Sequence, residues 1–216
     1  MQIGYAHVQE MLGLAAFAPG QPARVMPVTR VQPMGDHLAV PARMVPGTDD
    51  PLAHLLFALK HEGVDLAILM EALTRIPGAR LLEEIRRTPN GSYARIACFL
   101  WEQANRATLD DAPIPGGAAV PLFPPDRYLT GPAQRNPRWR VDFNGLGSLA
   151  YCATVERTPA IAAAIASDLP GRANAYAAGL DDLLRDRALA WAYLHETADS
   201  FAIERETPSE DRARAF

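Results

Sequence analysis

The stretch Leu180-Asp-Asp-Leu-Leu-Arg-Asp-Arg-Ala-Leu-Ala-Trp-Ala-Tyr-Leu-His-Glu-Thr-Ala-Asp-Ser-Phe-Ala-Ile-Glu204 decides the fold class of this 216-residue chain. Its apolar positions Leu183, Leu184, Ala188, Trp191, Leu194, Ala198 and Phe201 hold helical spacing. At 1.5 Å per residue the segment forms a rod of about 36 Å, which predicts a central helix in a mainly α protein. Ser200 and Glu204 are four residues apart and so lie one above the other, beside the Phe201 stripe. Pro208 forces an end within a few residues. A carboxylate in the last turn faces the negative end of the macrodipole, at a cost of about 0.3 to 1 kcal/mol. Either Arg205 or solvent offsets that cost, or Glu204 is held there to meet an arginine elsewhere.

Working outward, Ser209-Glu-Asp-Arg212 reads as an N-cap followed by first-turn acids, the start of a further helix. Its few remaining residues suggest a chain cut by proteolysis or at a gene boundary. Upstream, Pro159 opens an Ala-rich helix to about Ser167, and Pro170-Gly171 is expected to end it. Residues 106–158 are broken by Pro113, Pro115, Pro121, Pro124, Pro125, Pro132 and Pro137. With Leu122, Phe123, Tyr128, Leu129, Trp139 and Phe143 among them, they read as an ordered loop packed on helices, not a solvated linker.

The segment 49–105 reads as a helical subdomain. Asp49-Asp-Pro51 is a cap with Pro at the first helical position, followed by Leu52, Leu55, Leu56 and Leu59 on one face until Gly63. Val64 to Ile76 and Leu81 to Arg87 predict two more helices. Asn90-Gly-Ser92 caps a fourth, whose stripe is Tyr93, Ile96, Ala97, Leu100 and Trp101. Residues 1–48 hold too many prolines for a long helix beyond a short opening one. Arg24 to Gln32 and His37 to Arg43, flanking Pro33-Met-Gly-Asp36, predict one β hairpin. The fold expected is a helical bundle with a small N-terminal β hairpin and a proline-rich ordered loop. The segment 159–216 supplies its C-terminal helices, including the one over 180–204.

Composition narrows the function classes. A net charge of −4 with no basic block disfavours nucleic acid as partner. Cys98 and Cys152 have neither zinc spacing nor disulfide density, which fits a reducing cytoplasm. Met11 to Phe17 is apolar but too short to span a bilayer, and no Lys or Arg precedes it.

Several constellations carry less. His54 and His61 share a helix seven apart, wide for zinc and lacking a third ligand, so no metal site is expected. Asn144-Gly-Leu-Gly147 lacks the strand-to-helix setting of a phosphate loop and reads as a turn. Arg135, Arg138 and Arg140 around Trp139 resemble a small base-stacking patch, set against an acidic chain. A Cys152/His195 nucleophile pair has nothing in the sequence to orient it.

Five segments in this order resemble the N-terminal region of large Fic-family proteins, from about Asp50 to Arg212. They are Leu56-Phe-Ala-Leu-Lys-His-Glu-Gly63, Tyr93-Ala-Arg-Ile-Ala-Cys-Phe-Leu-Trp-Glu102, Asn136-Pro-Arg-Trp-Arg-Val141, Tyr151-Cys-Ala-Thr-Val-Glu-Arg-Thr-Pro159 and Ser200-Phe-Ala-Ile-Glu-Arg-Glu-Thr-Pro208. Fic domains transfer AMP from ATP to protein hydroxyls. The resemblance implies that Ser200 and Glu204 belong to the family's inhibitory motif, Ser or Thr, three residues, Glu, then Gly or Asn. In that motif the glutamate pairs with a catalytic arginine and blocks the place where the arginine would hold the ATP γ-phosphate. Arg205 stands where Gly or Asn is usual.

The family's catalytic signature, His-Pro-Phe followed by an acidic or small residue and Gly-Asn-Gly-Arg, is absent from the sequence. The chain is therefore expected to need no cofactor and to be inactive alone, whereas the implied parent uses ATP and Mg²⁺. Its expected partners are a Fic catalytic core, in cis or in trans, and the parent's protein substrate; a membrane is not expected. Two alternatives stay open: an antitoxin-like helical module acting in trans on a separate Fic protein, and a stand-alone helical binding module in which the Ser200/Glu204 pair is incidental.

Overall fold

A computed structural model describes residues 1–47 and 49–203. The chain divides into two compact units, Met1–Arg157 and a second beginning at Thr158. It is mainly α.

In the first unit the helices are α1 (Gly4–Leu12), α2 (Pro51–His61), α3 (Leu66–Arg75), α4 (Gly78–Arg87) and α5 (Ser92–Asn105). Local chemistry sets most of their starts. Asp50 caps α2, its Oδ1 accepting from the Leu52 amide at 3.2 Å, with Pro51 in the first turn. Asp65 caps α3 by accepting from the Ile68 amide at 3.1 Å. The start of α5 differs from the sequence reading: Gly91 is its N-cap, with no side-chain cap bond. Asn90 Oδ1 instead accepts from the Gly116 amide at 2.8 Å, tying the helix start to the proline-rich segment.

Leu52, Leu55, Ile68, Leu69, Leu73, Leu81, Ile85 and Leu100 are fully buried where α2, α3, α4 and α5 pack together. Each such side chain contributes about 1.5 to 3 kcal/mol relative to exposure. The proline-rich segment joins this same core through Leu122, Phe123, Tyr128, Trp139, Val141 and Phe143. It is not irregular throughout. Strands β4 (Val120–Pro121), β5 (Gln134–Asn136) and β6 (Val141–Phe143) form a sheet in the order β4-β6-β5, and β7 (Leu146–Ser148) pairs antiparallel with β8 (Tyr151–Ala153). Asn144 acts as a backbone surrogate between them. Its amide accepts from the Phe123 N–H at 2.9 Å and donates to the Phe123 carbonyl at 2.7 Å.

Near the N-terminus, β1 (Ala23–Val25), β2 (Gln32–Met34) and β3 (His37–Val40) form a mixed sheet with β3 in the middle. β2 pairs antiparallel with β3 and β1 pairs parallel with it. The run expected as one strand from Arg24 to Gln32 is thus two short strands on opposite sides of β3. Pro27 cannot donate to a ladder, and Pro33 sits on an edge strand, where a missing N–H is tolerated.

The second unit holds α6 (Pro159–Ala166), α7 (Leu169–Ala178) and α8 (Asp182–Ile203). Thr158 caps α6 by accepting from the Ile161 amide at 3.2 Å. Pro170 begins a helix here; it does not merely end one. It lies in the first turn of α7, where its missing N–H costs nothing, and Asp168 caps that turn by accepting from the Gly171 amide at 3.2 Å.

Candidate functional site

Ser200 lies in the last described turn of α8, exposed, its Oγ donating to the Glu196 carbonyl one turn back at 3.0 Å. Glu204, Arg205, Pro208 and the Ser209-to-Arg212 segment lie outside the described residues. What the structure gives for this region is therefore the helix that leads to the motif.

That helix departs from the sequence expectation in one respect. Helical spacing predicts a buried central rod, yet no described residue of α8 is buried. Leu183 is 71% exposed, Trp191 68% and Tyr193 69%, with Leu184 and Leu189 about half exposed. The Trp191 indole lies tilted against His195 of its own helix, with ring centroids 5.3 Å apart. Periodicity reports that a face is apolar; it does not report what covers that face. Leu183, Leu184 and Trp191 share one side of the helix, whereas Leu189 and Tyr193 point away from it; large apolar groups exposed together in this way mark a candidate interaction surface.

The first unit contains a tight polar junction that sequence reasoning missed. Glu62, at the C-terminus of α2, reaches the N-terminus of α1, where Oε1 accepts from the Tyr5 amide at 3.0 Å. The preceding amide, Gly4 N–H, donates to His54 Nδ1 at 3.3 Å. Two side chains of α2 thus satisfy the free amides that Ile3, the N-cap of α1, cannot. Gly4 must lack a side chain: its φ is +67°, and a Cβ there would meet Glu62 Oε1 at 1.7 Å. Tyr5 OH donates to the Gly63 carbonyl at 2.7 Å, and Tyr128 OH accepts from the Val64 amide at 3.0 Å. Arg127 donates to the Glu62 carbonyl at 2.6 Å and to Glu156 at 2.8 Å.

Burial pushes the Glu62 carboxyl up to about 7, against the opposing pull of the Tyr5 and Ala23 amides. Both tyrosine hydroxyls are engaged with backbone, so the junction fastens α1 to α2 and offers no free nucleophile. Because the folded-state pKa lies above the ordinary value of 4.5, the folded protein holds this proton more tightly than the unfolded chain. The resulting stability is fully present below pH ~4.5 and is lost as pH rises through about 7, by on the order of 2 kcal/mol after allowing for partial exposure. Urea midpoints at pH 5 and pH 8 test this. Glu62→Gln should flatten the difference between them and be the more stable protein at pH 8.

The remaining sequence candidates have structural roles. His54 is buried at the start of α1, and His61 stacks on Phe57 with centroids 4.7 Å apart. Among the described residues no group of three or more His, Cys, Asp or Glu is arranged to hold a metal ion. Trp139 is fully buried and cannot stack on a base, while Arg135 pairs with Asp142 at 2.8 Å. Cys152 belongs to β8 in the first unit and His195 to α8 in the second; burial raises the Cys152 thiol, the opposite of activation. No described helix is long and apolar enough to cross a membrane. In comparisons with protein-family models, curated proteins and solved structures, the chain matches none.

Proposed function

We propose that this chain is the regulatory and scaffolding N-terminal portion of a Fic-type protein adenylyltransferase, and that α8 presents Glu204 to the catalytic core. The observation that carries this reading is the open apolar face of α8, which runs toward the Ser200/Glu204 motif. A helix that exposes Leu183, Leu184 and Trp191 on one side calls for a covering surface, and the resemblance supplies one in a Fic catalytic core. There Glu204 would form a charge-assisted pair with the arginine of the catalytic motif. With that arginine taken, ATP cannot align its α-phosphate for in-line attack, a positioning requirement worth several kcal/mol in phosphoryl-type transfer. Ser200, bonded back to the Glu196 carbonyl, keeps its hydroxyl against the last described turn of α8.

Two observations test the proposal. The reading frame beyond Phe216 should encode His-Pro-Phe and Gly-Asn-Gly-Arg; a stop codon with no such motif in that or a neighbouring frame counts against it. In a protein carrying both this chain and the catalytic core, Trp191 emission, isolated by difference against Trp191→Phe, should be bluer and better shielded from acrylamide than in residues 1–216 alone. Equal quenching in the two proteins would remove the docking role of α8.

A further inference from the structure

The first unit carries a second surface, independent of the role proposed for α8. Lys60 is the only lysine of the sequence and projects from the last turn of α2, exposed. It stands between two neighbouring cavities, of about 500 and 350 Å³, which share Lys60 and Tyr93 of α5 as lining residues and together are termed the trough. The floor is apolar: Leu56 and Phe57 in the larger cavity, Ile96 and Leu122 in the smaller. Leu56 and Lys60 are four apart and share one face of α2.

In a chain of net charge −4, the trough keeps one uncompensated cation. The larger cavity is lined by Lys60, Arg80 and Arg87 with Glu84 as its single carboxylate, the smaller by Lys60 and Arg127 with Asp126. The arginines are already engaged. Arg80 pairs with Asp50 at 2.6 Å, Arg87 with Glu84 at 2.7 Å and Arg127 with Glu156 at 2.8 Å. Among the described residues Lys60 has no carboxylate partner.

We propose that this trough docks an extended, acidic segment of a partner protein, with a carboxylate on Lys60 and apolar side chains in the cavity on either side. The floor favours a polypeptide over a nucleic acid: it is mainly aliphatic, and its arginine forks are occupied by carboxylates, leaving no stacking series and no free phosphate clamp. The two cavities flanking one cation match alternate side chains of an extended strand.

The test uses full-length 1–216 and a fluorescein-labelled peptide, Gly-Ser-Leu-Phe-Glu-Glu-Leu-Gly-Ser. A twin with Lys for both Glu and a twin with Ser for Leu and Phe complete the set. Saturable binding of the first is expected, with each twin at least about tenfold weaker, the weight of one partly desolvated contact. Lys60→Glu should weaken the first peptide by about tenfold and improve the Lys twin, while Lys60→Arg should retain the first. Both variants alter an exposed position, and their circular dichroism should match the parent. Acetylation of Lys60, read by mass spectrometry against the N-terminal amine, should slow when the first peptide is bound. Three results would each overturn the proposal: no saturable binding below about 1 mM, equal binding of the charge-reversed twin, or a single-stranded oligodeoxynucleotide that binds more tightly than the peptide and shields Lys60.

Discussion

Trp139→Ala is expected to destabilise the first unit by about 4 kcal/mol or more, the largest loss for any single side chain described above. The indole is fully buried, and its Nε1 donates to Glu102 Oε2 at 2.8 Å. Glu102 is itself only 8% exposed; its other oxygen accepts from the Leu109 amide at 2.9 Å and pairs with Arg138 at 3.1 Å. Truncation therefore opens a cavity, for which Trp→Ala typically costs about 3 to 5 kcal/mol, and also removes a donor from a buried carboxylate, for about 1 to 3 kcal/mol more. The surrounding backbone is committed as well. The Trp139 amide donates to Asn136 Oδ1 at 2.9 Å, and its carbonyl accepts from Arg95 Nε at 2.8 Å. Arg95, buried and aimed only at carbonyls of this segment, holds residues 118–140 against α5. Against a typical total of about 5 to 15 kcal/mol, the variant should be marginal or unfolded near body temperature. Urea unfolding followed by far-ultraviolet circular dichroism measures it. Trp139→Phe, which keeps most of the volume but not the donor, should lose roughly half as much. A loss below about 1 kcal/mol for Trp139→Ala would mean that this contact does not anchor the segment.

The parts of the fold legible in sequence are those fixed by local chemistry. Asp50-Pro51 announces α2 because cap and first turn are neighbours in the chain. Pro159 does the same for α6. The Asp65 cap of α3, by contrast, is not singled out by the sequence reading. Legibility fails where partners are distant. The parallel pairing of β1 with β3 joins residues that no turn signal links. Pro170 misleads because proline both follows helices and begins them, and only the Asp168 cap decides between the two. The open face of α8 is the instructive failure, since apolar spacing is the same whether a helix is covered by its own domain or by another surface.

The site was legible in part. Ser200 could be placed on a helix from spacing alone, and its backbone bond to Glu196 follows from that helix. The Glu62 junction could not, because its partners Gly4 and Tyr5 lie more than fifty residues away in sequence. Lys60 carried a signal in composition, as the single lysine of the chain, but its setting in the trough emerges only once α2 and α5 are packed.

The second large effect concerns catalysis in the protein that carries this chain together with a Fic core. On the proposed reading, Glu204→Gly frees the catalytic arginine to take the γ-phosphate and restores the in-line geometry. Removing a positioning block of several kcal/mol corresponds to a rate gain of at least about tenfold and up to a thousandfold. Arg205 adds a specific expectation: as a cation beside Glu204 it competes for the carboxylate, so Arg205→Gly should tighten inhibition and lower the basal rate. Ser200→Ala should change the rate far less than Glu204→Gly, because it leaves the inhibitory charge in place and keeps a good helix former at that position. All three positions lie outside Met1–Arg157 in the sequence, and thermal unfolding of that unit is expected to stay where it is. The most direct measurement is incorporation of labelled AMP from ATP and Mg²⁺, into the protein itself and into a hydroxyl-bearing protein substrate, compared between the parent sequence and Glu204→Gly. The account predicts a faint signal in the first and a strong one in the second; equal incorporation in both, or none in either, would contradict it.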